Sequence, residues 1–171
     1  MKKLYIASFI LAFILAAFFA RSCNANPLVK IAISELGNGE EGSNNCGPDI
    51  MKYTGGKEVP WCAGFVSYVL CQAGYDCGID LSAKSIYNTA VLNNGIITEP
   101  KPGDLISFWR ENMYSWKGHI GIVEKVDNEY VYTIEGNVGK YPAKVKRFKY
   151  KKNSIPKFVG FVRYKQRGNN E

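Results

Sequence analysis

Val59-Pro60-Trp61-Cys62-Ala63-Gly64-Phe65 is the stretch from which the chain reads in both directions. Phe65, Val66, Val69, Leu70 and Ala73 recur at steps of three and four residues, as on a helix with one apolar face, and Gly74 stands where a left-handed stop is expected. Pro60 ends the preceding loop, so Cys62 falls in the first helical turn. Unpaired backbone N–H groups and the positive end of the helix dipole favour a thiolate there. The competing reading is a small buried residue on an apolar helix, which a lone cysteine more often is. The only histidine, His119, lies 57 residues downstream on a predicted strand. Together the two read as a thiol nucleophile and its base.

Upstream, Pro27 can open a helix with Leu28, Ile31, Ala32 and Leu36 on one face and Gly37 as its stop. Asn38 to Asn45 is polar and glycine-rich, hence a loop. A short helix begins at Pro48, with Ile50 and Tyr53 facing inward, and ends at Gly55-Gly56. Downstream, Asp80 to Leu92 is a further helical candidate, centred on Ser85 to Leu92. The character of the chain then changes. The turn Lys101-Pro102-Gly103-Asp104 leads into a strand from Leu105 to Trp109. Gly118 to Val126 and Tyr130 to Glu135 form a hairpin around Asp127 and Asn128, and Lys144 to Tyr150 and Phe158 to Tyr164 supply two more strands. Helices first and an antiparallel sheet second is an α+β arrangement.

The 171 residues, 46% of them hydrophobic, suit one domain with a real core. Lys2 and Lys3 followed by an apolar run from Leu4 to Ala20 and then Arg21 read as a secretory leader or, uncleaved, a short membrane anchor over residues 1–25. At 17 residues the run is at the lower edge of the length that spans a bilayer. Cleavage after Ala25 is favoured over lipid attachment at Cys23, because Arg21 fits a lipid signal poorly. An exported chain over residues 26–171, periplasmic, wall-associated or extracellular, is expected.

Taking Lys2, Lys3 and Arg21 from the 22 basic residues leaves 19 against 15 acidic ones, a net +4. Most of that excess lies towards the end, in Lys144, Lys146, Arg147, Lys149, Lys151, Lys152, Lys157, Arg163, Lys165 and Arg167. Such a face attracts anionic wall polymers, or is simply a solvated sheet surface. Nucleic acid is not an expected partner of an exported chain. Five cysteines imply oxidising surroundings. With Cys62 kept free, Cys71 and Cys77 flank the Gly74 turn and suit a local disulfide, for which Cys46 competes. One histidine and these spacings do not make a zinc site, so no metal and no cofactor are expected.

If the hairpin turn centres on Asp127 and Asn128, His119 lies opposite the neighbourhood of Gly136. Glu135 and Asn137 bracket that position, and either can hold the second imidazole nitrogen and fix the tautomer. The bland alternatives are a packing histidine and a solvated strand end. Trp109, Tyr114 and Trp116 cluster near His119, lining a groove or covering the sheet edge; with Trp61 they are the candidate substrate-contacting residues.

Trp61-Cys62-Ala63-Gly64-Phe65-Val66, Lys101-Pro102-Gly103-Asp104, Gly118-His119-Ile120-Gly121-Ile122-Val123 and Ile134-Glu135-Gly136-Asn137 together resemble the CHAP family, over roughly residues 40 to 165. These are cysteine, histidine-dependent amidohydrolases and peptidases related in fold to papain and the NlpC/P60 peptidases. The resemblance implies a papain-like α+β fold and cleavage of amide bonds in peptidoglycan, as a muramoyl-L-alanine amidase or a peptide endopeptidase; a monomer is expected. It implies Cys62 as nucleophile, His119 as base, Glu135 as orienting residue and Asn137 as a further polar member. Residues 49 to 59 lack the aspartate cluster of the calcium-binding members, so no calcium is expected. The alternatives are a wall-binding domain of the same fold without turnover and, with a smaller share, an exported protease acting on proteins.

Overall fold

The computed structural model of the chain describes residues 26–75, 78–93 and 95–165. The expected leader over residues 1–25, its processing and Cys23 lie outside the described residues, as do Cys77 and Arg167. Among the described residues four α-helices come first: α1 (Pro27–Ser34), α2 (Pro48–Thr54), α3 (Cys62–Gln72) and α4 (Ala83–Leu92). Six strands follow: β1 (Ile96–Ile97), β2 (Leu105–Trp109), β3 (Gly118–Val126), β4 (Tyr130–Val138), β5 (Lys144–Lys151) and β6 (Phe158–Val162). They make one antiparallel sheet in the order β1-β6-β2-β3-β4-β5, so the α+β arrangement is the observed one. None of the described helices is long and apolar enough to cross a membrane.

Local chemistry accounts for the helix ends. The Asn26 side chain accepts the Leu28 N–H and Pro27 occupies the first turn of α1, while Gly55 closes α2 in the left-handed conformation (φ 65°). α3 begins at Cys62, and Gly74 (φ 81°) donates its N–H to the Cys71 carbonyl at 3.0 Å. α4 starts at Ala83 rather than near Asp80, because Ser82 caps it through the Ser85 N–H and the Asp80 carboxylate holds the Ser82 N–H instead.

Two apolar clusters sandwich the sheet. Tyr53, Trp61, Phe65, Val66 and Leu70 of the helical layer pack on Leu105, Ile120, Ile122, Ile134 and Val162. The alternate residues Ile106, Phe108, Val123, Val131 and Phe161 form a smaller cluster on the opposite face. The β3–β4 register differs by one residue from the sequence expectation. Asp127 Oδ1 accepts the N–H groups of Glu129 and Tyr130, which centres the turn on Asn128-Glu129. Beyond a bulge between Val123 and Lys125, Ile122 therefore pairs with Ile134 and Val123 with Thr133. This register sets Gly121 against Glu135 and puts His119 and Glu135 on one face.

Glu40, buried in the predicted loop, ties three separate segments together. Its Oε2 accepts the Ala143 N–H at 2.7 Å, and its Oε1 accepts the Asn45 N–H at 3.0 Å and the Trp61 Nε1–H at 3.2 Å. Trp61 lies directly before the helix that starts at Cys62 and stacks on Tyr53, with ring centroids 5.7 Å apart. Removing the carboxylate leaves buried donors without acceptors, at about 1–3 kcal/mol for each such group. Glu40→Ala is accordingly expected to lower unfolding stability by about 2–4 kcal/mol in urea titrations followed by tryptophan fluorescence. A loss below about 0.5 kcal/mol would mean that water replaces the brace.

Candidate active site

Cys62 is the first residue of α3 and is buried. Burial pushes its thiol up, but the hydrogen bond with His119, the charges of His119 and Arg110 and the Ala63 N–H prevail and hold it below its ordinary value. His119 shows the mirror image. Burial pushes the imidazole down, yet hydrogen bonds to Cys62 and Glu135 outweigh it and raise the pKa to about 9. Both directions favour one state of this coupled pair, a thiolate beside an imidazolium.

Glu135 supplies the third member. Its Oε2 lies 2.7 Å from His119 Nε2, and both side chains are almost completely enclosed. Oε1 accepts from the Thr133 hydroxyl and, at 3.0 Å, from the Tyr150 hydroxyl. Burial, followed by the Glu135 charge, raises the Tyr150 pKa, so Tyr150 remains a protonated donor. A carboxylate accepting at Nε2 fixes the proton of neutral His119 there and leaves Nδ1 as the acceptor facing the thiol. Phe108, paired with His119 across β2 and β3, lies against the imidazole with ring centroids 5.7 Å apart.

Two glycines explain why the motifs carry them. A Cβ on Gly121 would sit 2.5 Å from Glu135 Cγ, so glycine opens the lane through which Glu135 reaches the histidine. A Cβ on Gly136 would sit 2.6 Å from the Trp61 ring, so the strand lies directly on the residue before the nucleophile.

The structure brings Cys62, His119 and Glu135 together. Asn137 sits at the β4 bulge with φ 58°, and its carbonyl faces the Arg110 guanidinium at 3.4 Å. Trp61 has no exposed surface and cannot line a groove; its ring belongs to the core beneath the nucleophile. Tyr114 and Trp116 are largely exposed on the β2–β3 loop. Trp109 and Tyr114 line a cavity of about 310 Å³ with Lys84, Tyr87, Met113 and Phe158, next to the Gly118 end of β3.

Thr133, Tyr150 and Arg110 were not anticipated. Thr133 was within reach, being two residues before Glu135 and so on its side of the strand. Tyr150 depends on the β4–β5 register, which pairs it with Val131. Arg110 Nη2 lies 2.9 Å from His119 Nδ1, and nothing local in the sequence signals it. Cys46 and Cys62 are free among the described residues; Cys71 is engaged, and Cys77, its expected partner, lies outside them.

A family model described as CHAP domain matches the chain over residues 53–137, bearing out the resemblance carried by the four motifs. A solved structure titled "The crystal structure of Ly7917" is similar at 19% identity with a TM-score of 0.46, covering 81% of this chain and 61% of that chain. The chain thus spans less than two thirds of its length. No curated protein matches.

The pKa directions fix a pH profile. Alkylation of Cys62 by iodoacetamide, resolved by peptide mass, is expected to proceed readily well below the ordinary thiol pKa of 9.0 and to fall only on the acid side, as the thiolate is protonated. It should change again near pH 9, where His119 loses its proton. Glu135→Gln removes the charge that holds the imidazolium, so the acid limb should move to higher pH. Gly121→Ala should move it the same way. An unmoved limb in Glu135→Gln would show that the carboxylate does not stabilise the ion pair.

Proposed function

We propose that the chain is an exported thiol hydrolase of peptidoglycan with a papain-like fold, cleaving either the bond between muramic acid and L-alanine or an amide within the stem or cross-bridge peptide. The observation that carries this reading is the buried line from Cys62 through His119 to Glu135, with 2.7 Å between His119 Nε2 and Glu135 Oε2. A CHAP domain over residues 53–137 supports the substrate class, since the family's members are amidohydrolases and peptidases of the wall.

The geometry suggests the following chemistry. The Cys62 thiolate attacks the scissile carbonyl carbon and forms a tetrahedral intermediate. The Cys62 backbone N–H, free at the start of α3, donates to the developing oxyanion, a contribution worth about 3–4 kcal/mol where such donors have been removed. As the intermediate collapses to a thioester, the C–N bond breaks and His119 gives its Nδ1 proton to the leaving amine. Neutral His119 then takes a proton from water, whose oxygen attacks the thioester. Collapse of the second intermediate releases the carboxylate product and returns the thiolate and imidazolium. Throughout, Glu135 keeps the imidazole oriented and offsets its positive charge.

The exposed lysines of β5 support loose attraction to an anionic wall. Two basic side chains of this strand are already engaged: Lys149 sits 3.7 Å from the Tyr130 ring centroid, and Arg147 pairs with Glu124 at 2.8 Å. A wall-binding domain without turnover is the second reading. The enclosed Glu135 argues against it, because orienting a histidine towards a thiol serves chemistry rather than adhesion.

Digestion of purified peptidoglycan, with mass spectrometry of the soluble fragments, tests the proposal. The wild type is expected to release fragments whose masses name the bond. Cys62→Ala should lower the rate by about 10⁴-fold or more while leaving wall binding intact. Binding without fragments from the wild type, with and without mild reductant and across several wall chemotypes, would favour the second reading.

A further inference from the structure

Arg110 occupies a place that the hydrolytic cycle sketched above does not use. It follows β2 directly, and its backbone is clamped on both sides: its N–H donates to the Lys117 carbonyl at 3.1 Å, and its carbonyl accepts from Lys157 Nζ at 3.0 Å. From this fixed origin the guanidinium reaches back over the site, to 2.9 Å from His119 Nδ1 and 3.4 Å from the Asn137 carbonyl. Among the described residues no carboxylate pairs with it. Glu135 is committed to His119, Thr133 and Tyr150, and Glu111 to Lys117 and Ser115. An exposed arginine aimed at His119 is therefore left without a carboxylate partner among the described residues.

The contact with Nδ1 also carries a conflict. A guanidinium donates and never accepts, so it opposes the thiolate–imidazolium pair favoured above and is matched only in the neutral pair, where Nδ1 holds a lone pair. That lone pair is the one that must take the thiol proton. Arg110 and Cys62 thus compete for a single nitrogen, and anything that draws the guanidinium away frees the base. A carboxylate does so best, because it matches the guanidinium fork with two parallel charge-assisted bonds.

Building on the reading of the site as a thiol hydrolase, we propose that Arg110 is its carboxylate-recognising residue. It selects substrates with a free carboxylate flanking the scissile amide over their amidated counterparts, and engagement of that carboxylate takes the guanidinium off His119 Nδ1. Lys157, whose ammonium donates to the Arg110 carbonyl, and Lys84 and Lys117, which line the cavity beside Trp109, add positive charge nearby, although Lys117 is neutralised by Glu111.

The test compares two alkylating agents of similar size, anionic iodoacetate and neutral iodoacetamide, on the full chain at one pH, read at the Cys62 peptide so that Cys46 does not interfere. Both react with the same thiolate, so changes in its abundance cancel in the ratio of their rates. The remaining difference reports the charge at the mouth of the site. The wild type is expected to favour iodoacetate about fivefold to tenfold more than a free cysteine does, as a nearby unit charge of this strength implies. Arg110→Gln should bring the ratio to the free-thiol value, Arg110→Lys should keep part of it, and Lys157→Gln, which removes one clamp and one neighbouring cation, should lower it less than Arg110→Gln does. Stem peptides with a free carboxylate should protect wild-type Cys62 from iodoacetamide better than amidated ones, and this difference should vanish in Arg110→Gln. A ratio within twofold of the wild type in Arg110→Gln, or a loss confined to Lys157→Gln, overturns the assignment. Absence of wall digestion with the ratio intact would instead count against the hydrolase reading.

Discussion

The contact between Glu135 and His119 is the constraint that the surrounding structure serves. A carboxylate almost wholly out of water is tolerated only if each oxygen has partners, and here Thr133 and Tyr150 satisfy one while the imidazole satisfies the other. Those partners come from β3, β4 and β5, so the position of one proton depends on the register of three strands. Gly121 belongs to the same requirement, since any side chain there would occupy the path of the carboxylate. The motifs around His119 and Glu135 read as instructions for fitting a buried charge beside an imidazole.

The helical layer meets the sheet under a comparable restriction. Trp61 has to lie flat on Gly136 and stack on Tyr53, and its indole N–H has to find Glu40. The segment before Cys62 is thereby fixed in depth and orientation, which sets where the sulfur stands. Gly64 adds to this, because a Cβ there would lie 2.6 Å from the Tyr53 carbonyl oxygen. The tryptophan beside Cys62 contributes through packing and not through the groove.

Much of this was legible in the sequence, for identifiable physical reasons. α3 announced itself by its apolar period and Cys62 by its place at the helix start, while strand alternation left Glu135 and Asn137 both open and only the family resemblance pointed to Glu135 as the orienting residue. What the sequence concealed depends on exact register or on distance along the chain. The hairpin turn was displaced by one residue because the Asp127 side chain captures two backbone N–H groups, a local preference that competes with simple symmetry about the loop. Two-residue β1 is too short to show any alternation. Tyr150 and Arg110 reach the site only through tertiary pairing, and Trp61 could not be told from a groove residue because its indole partner lies twenty-one positions away. The family resemblance supplied order among the motifs but not these contacts.

The bond between Glu40 and Ala143 joins positions 103 apart. Tyr150, which completes the Glu135 environment, lies on β5, which begins directly after Ala143. Contacts of such long sequence separation close large loops and form late compared with local helices. A chain emerging from a ribosome or threading a translocation pore in order therefore presents Cys62 long before β5 arrives to finish its surroundings. Until then the thiol lacks its oriented imidazole and behaves as an ordinary, weakly nucleophilic cysteine. The reactivity of this thiol is timed by topology: the arrival of β5 acts as a completion signal, and a molecule without it holds an ordinary cysteine.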